Sequence, residues 1–206
     1  MEPGISELKR RPYRYYYQDG LVEIGIGLLF GVVGVALSLW IITPAGSPFW
    51  ALNALAIIAL PLAGAVVLKA AVGRLKDRLV YPRTGYVDYQ DEKPSRGRWL
   101  IIAAALLLTI GFFFVPDRLN QMSLAEGLLL AIVLGTIGYR VGVGRFYLLA
   151  SIAAAIGVAA ALLVPFDVGG SAATFGALGL VLMGSGACAL RRYLVSNPAP
   201  SSQAES

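Results

Sequence analysis

Long apolar runs, joined by short polar or proline- and glycine-bearing links, leave this chain few folds to choose from. Inside a bilayer the backbone N–H and C=O groups have no water to bond, so a single crossing segment of about 20 residues has to be helical, rising about 1.5 Å per residue. Six such runs can be read, at approximately Leu21–Ile42, Trp50–Val72, Trp99–Val115, Leu124–Tyr139, Phe146–Phe166 and Ser171–Leu190. The third and fourth are short and sit at the lower limit for spanning. The links "TPAGSP", between the first two runs, and "DVGG", between the last two, read as tight turns. The expected fold is therefore an all-α membrane protein with six transmembrane helices arranged as three hairpins. Composition agrees: 57% of the 206 residues are hydrophobic and 14% charged, and mean hydropathy is +0.71. The first run follows a basic segment, as a signal peptide's would, but it is long and lacks a clear small-residue cleavage site. It reads as an uncleaved span. No residue-level repeat relates the hairpins to one another.

Charge gives an expected orientation, because Lys and Arg are retained on the cytoplasmic side. Lys9, Arg10, Arg11 and Arg14 precede the first run. Lys69, Arg74, Lys76, Arg78, Arg83, Lys93, Arg96 and Arg98 lie at the end of the second run or in the loop after it. Arg140 and Arg145 fall between the fourth and fifth runs, and Arg191 and Arg192 follow the sixth. Of the 17 cations only Arg118 falls on the other side of a six-span arrangement. Both termini are expected in the cytoplasm. The expected organisation is a basic, tyrosine-rich lead over 1–20, a membrane domain over 21–190 with a cytoplasmic loop at 73–98, and an unstructured tail over 191–206. All 10 tyrosines fall at or beyond the cytoplasmic ends of the runs, whereas an interfacial aromatic belt decorates both sides. They read either as headgroup anchors or as part of a Tyr/Arg surface that binds something anionic.

Several chemistries are excluded. The chain has no histidine and a single cysteine, Cys188. That removes a disulfide framework, a cysteine zinc site, the usual haem ligand and the usual general base. No P-loop, nucleophile elbow or metal motif is present, and "RVGVGR" (Arg140–Arg145) lacks the preceding strand and further glycine of a nucleotide loop. No cofactor or metal is expected. The net charge of +5 follows from topology and does not point to nucleic acid.

Two segments carry the candidate site. The lead "RRPYRYYYQDGLVEIG" (Arg10–Gly25) places arginines and tyrosines, among them Arg14 and Tyr16, before the first span and an acid, Glu23, inside it. The loop segment "RLVYPRTGYVDYQ" (Arg78–Gln90), with Arg83 and Tyr86, has turn residues Pro82 and Gly85 between strand-forming flanks, so a small cytoplasmic β-hairpin or an extended loop is expected between the second and third helices. Such a hairpin is marginal alone and would rest on the tyrosine lead or the membrane surface. Together, "YRYYYQDGLVEIGIGLLF" and "YPRTGYV" resemble a group of uncharacterised bacterial multi-pass membrane proteins. The resemblance implies a bacterial plasma-membrane protein and carries no activity, so no functional residue follows from it.

Acids within spans are candidates for function. Ser123, three residues ahead of Glu126, reads as making a capping box with it at the outer end of the fourth span. Glu23 shares a stripe with Gly27, Gly31 and Gly34, within about 80° at 3.6 residues per turn. Gly27 and Gly31 also form a GxxxG pattern, which marks close helix packing in lipid. Glu23 is therefore expected to face the bundle and to take a cation, Lys69 first and an arginine of the lead or hairpin second. The expected function is non-enzymatic: a basic, tyrosine-rich cytoplasmic surface that binds anionic membrane lipids or a protein partner, a homo-oligomer being permitted. The alternative is a small permease or lipid-handling transporter with a cavity between the first two helices, where Pro61 kinks the second and Asn53 lies within it.

Overall fold

The computed structural model describes residues 17–81 and 121–198. They form five helices: α1 (Leu21–Ile42), α2 (Pro48–Leu79), α3 (Gln121–Val141), α4 (Arg145–Leu163) and α5 (Asp167–Ser196). No strand occurs among the described residues. Helices α1, α3, α4 and α5 are each long and apolar enough to cross a membrane. Helix α2 also qualifies when its two halves, bent by 43° at Pro61, are taken as one span. Proline removes one backbone hydrogen bond and its ring pushes on the preceding turn, which accounts for the bend. The third expected run, Trp99–Val115, lies outside the described residues.

Helix α1 lies between α2 and α5. Its most extensive contact is with α5, it also packs on α2, and α3 pairs with α4 against the far side of α5. The α1–α5 seam is built from small residues meeting backbone to backbone. A Cβ on Gly27 would lie 2.7 Å from the Gly179 carbonyl oxygen, and one on Gly34 would lie 2.7 Å from the Gly176 nitrogen. The glycine stripe thus faces a helix, as the GxxxG pattern predicts. A second close approach, Gly127 against Gly157, joins α3 to α4. The main core lies between these pairs: Leu134 from α3, Phe146, Leu149 and Ala153 from α4, and Leu178 and Leu182 from α5.

The links explain the helix ends. Ser47 caps α2, its hydroxyl accepting from the Trp50 N–H at 3.2 Å, and Pro48 stands where no N–H partner is needed. Between α4 and α5 the chain turns at Val164, Pro165 and Phe166, and "DVGG" is instead the first turn of α5. Val164 is held extended ahead of Pro165, which stops α4, and Phe166 is extended as the N-cap of α5. The expected hairpin is corrected at its first flank. Arg78 and Leu79 are the last residues of α2, and Val80 continues in a right-handed helical conformation with its N–H bonded to the Lys76 carbonyl. Helix continuity with the amphipathic end of α2 overrides the strand propensity of Val80. Residues 82–90 lie outside the described residues.

Candidate functional site

One end of the bundle gathers charge that the apolar interior excludes. Asp19 and Glu23, four residues apart at the start of α1, are 0% and 2% exposed. Asp19 bonds the Leu21 N–H at 3.0 Å and pairs with Lys76 at 2.9 Å, tying the chain ahead of α1 to the end of α2. Glu23 faces the opposite way. Its Oε1 lies 2.7 Å from Arg145 Nε at the start of α4, and its Oε2 accepts from the Ser185 hydroxyl of α5 at 3.0 Å. Arg145 also donates to the carbonyls of Tyr17 and Gln18. One guanidinium thus binds α4 to the segment entering α1, as a planar fork with several N–H groups can. Gly20, with φ 77°, makes the tight entry into α1, where a side chain would collide with Gly186 and Ala189. The Tyr17 ring meets Phe146 edge-on at 5.8 Å.

The expected partner of Glu23 is therefore corrected. Lys69 lies at a suitable depth, but it is exposed. The residues of α1 that meet α2 include Gly25, against Leu68, and Leu29, against Gly64. Glu23 is two positions from Gly25, about 200° around the helix, and so points to α4 and α5. Lys76, two turns beyond Leu68, serves Asp19 instead. Sequence alone reads Lys76 as a loop cation. The signal available for Lys76 was its place on the Leu68–Val72 face of α2. The pairing of Arg145 with Glu23 leaves no local signal, because it depends on how α4 docks. Arg14, Tyr16, Arg83 and Tyr86 lie outside the described residues.

Beside this network is a cavity of about 360 Å³. Gln18, Arg145, Ser185, Arg192, Tyr193 and Asn197 line it, with the exposed Cys188 also on its wall. Its volume is at the low end of ligand pockets. Glu23 neutralises Arg145, so the unbalanced positive charge at the wall is that of the exposed Arg192. Among the described residues no group of His, Cys, Asp and Glu has the makings of a metal site. Elsewhere, Asn53 donates to the Ala36 carbonyl at 3.1 Å and fastens α1 to α2. Glu126 is not part of a capping box: α3 begins at Gln121, which puts Ser123 inside the helix, and Glu126 accepts from Ser171 of α5 at 2.8 Å.

No protein-family model matches this chain, and no curated protein or solved structure is detectably similar to it.

Proposed function

We propose that this is a six-span membrane protein whose charged end faces the cytoplasm and binds the phosphate of anionic lipid headgroups. Support for a third crossing at Trp99–Val115 comes from where the described helices end. Helix α2 ends beside Asp19, whereas α3 starts beside Ser171, at the opposite end of the bundle. The intervening residues must cover the height of α3, whose 21 residues span about 31 Å. With six crossings the cations collect on one side, as retention of Lys and Arg in the cytoplasm requires. In a Cys188→Ser background, a cysteine replacing the exposed Ala45 should react with an impermeant thiol reagent from outside, and cysteines at Ser95 and Ser201 should not. Labelling of Ser95 from outside would rule the six-span arrangement out.

The observation that carries the binding reading is the cavity beside Arg145 and Arg192. Arg145 is fixed by Glu23 and two carbonyls, so it is a rigid wall, and Arg192 supplies free charge. Ser185, Tyr193, Asn197 and Gln18 offer hydrogen-bonding groups around them. Arg14, Tyr16, Arg83 and Tyr86 would extend the same surface. Packing between α1 and α2 favours this reading over a permease with a cavity there, since Leu29 and Leu68 fill that seam. Purified protein equilibrated with equal amounts of phosphatidylglycerol and phosphatidylcholine should retain mainly phosphatidylglycerol in native mass spectra. Arg192→Gln should lower that retention roughly fivefold, since a cation near an anionic headgroup contributes about 1 kcal/mol. Arg191→Gln, one residue away but off the cavity wall, should change little. Equal retention by the parent and Arg192→Gln would overturn the assignment.

A further inference from the structure

At the end of the bundle away from the cavity, Glu126 is a half-buried acid that the headgroup site does not use. Its Oε1 accepts from the Ser171 hydroxyl at 2.8 Å. Its Oε2 is buried without a hydrogen-bond partner, and no ion pair balances its charge among the described residues. One turn deeper on α5, Thr174 is 0% exposed and its hydroxyl also lacks a hydrogen-bond partner. Ser171, Thr174, Leu178 and Leu182 fall within about 80° of one another around α5. The two leucines pack against Leu134, Leu149 and Ala153, so this stripe faces α3 and α4, where Glu126 lies. An unpaired carboxylate oxygen and an unpaired hydroxyl are both costly to bury, and both costs fall if the oxygens share a cation.

We propose that Glu126, Ser171 and Thr174 bind a small monovalent cation of the sodium class at the end of the bundle opposite the headgroup cavity. The ligand set is one carboxylate with two hydroxyl oxygens, all hard donors. A calcium site gathers more carboxylates, and magnesium keeps its waters in an octahedron. The Ser171 hydroxyl retains lone pairs while donating to Glu126. Asp167, exposed in the first turn of α5, adds negative charge one turn before Ser171 and draws cations to that end. Leu178 and Leu182, 0% and 1% exposed, close the stripe below Thr174 and separate this site from the Glu23 network.

The test is the thermal midpoint of the full-length protein in detergent, followed by tryptophan fluorescence in sodium chloride or choline chloride at equal ionic strength and fixed pH. Sodium should raise the midpoint saturably by several degrees, because a ligand of the folded state stabilises it. Glu126→Gln should abolish the difference between the salts. Thr174→Val, nearly equal in shape, should raise the half-saturating sodium concentration roughly tenfold, the scale of one lost polar contact. Equal midpoints in the two salts would overturn the proposal, including the case in which the midpoint moves with pH alone and Glu126 simply protonates. So would a sodium response that survives Glu126→Gln. If that variant does not fold, Thr174→Val decides: an unchanged half-saturating concentration sinks the site.

Discussion

Arg145→Met is expected to be among the most damaging single substitutions in the protein, lowering stability by about 3–5 kcal/mol, because it leaves a buried carboxylate without its counter-charge. Glu23 is 2% exposed, and Arg145 is its cation at 2.7 Å. The same change strips the carbonyls of Tyr17 and Gln18 of a donor. The effect should show as early thermal unfolding and aggregation on size exclusion in mild detergent. Adding Glu23→Gln should recover a large part of the loss, since a neutral amide can still accept from Ser185. A double variant no more stable than Arg145→Met would mean that the carbonyl contacts, and not the buried charge, dominate.

Gly27→Leu is expected to separate α1 from α5, while Gly184→Ala leaves the protein as stable as before or slightly more so. The contrast comes from what each new side chain meets. At Gly27 even a Cβ lies 2.7 Å from backbone atoms of Gly179 and Met183, which cannot rotate away. Overpacking of one or two carbons costs about 1–3 kcal/mol, and leucine adds more. At Gly184 nothing lies within 4 Å, and replacing a helical glycine at an unstrained site contributes roughly 0.4–1 kcal/mol. Gly31→Ala should also be tolerated, since its nearest neighbour is the flexible end of Met183 at 3.9 Å. Thermal midpoints of the three variants measured together would check this order. An unchanged midpoint for Gly27→Leu would mean that the seam is not as drawn.

Much of this architecture can be read from residue type and period alone. The run Leu21–Ile42 coincides with α1, and the glycine spacing on it shows which face meets another helix. The burial of Glu23 follows from that same stripe. Its partner does not, because Arg145 reaches it only after α4 has docked, and hydropathy carries no information about the pairing of distant helices. The end of α2 was legible only in part. Val80 favours strands in isolation, but Lys76 holds that turn helical through its backbone and its pairing with Asp19. The turn before α5 was placed too late because its glycines look like loop residues, whereas Pro165 is the residue that breaks the helix. The cavity was unreadable, since Gln18, Arg145 and Arg192 come together only in three dimensions.

The seam between the first and last helices also bears on how the protein is made. Glu23 and Ser185 are 162 residues apart, which at about 5–20 residues per second is roughly 8–30 s of synthesis. For most of that interval the nascent first helix has entered or begun to enter the membrane carrying an acid without Arg145 and a glycine face without α5. It must wait near the interface, or under the cover of the insertion machinery, until α4 and α5 emerge. A nascent chain released before α5 would hold the problem without the solution, and quality-control proteases that recognise unpaired charge within a membrane would find it there.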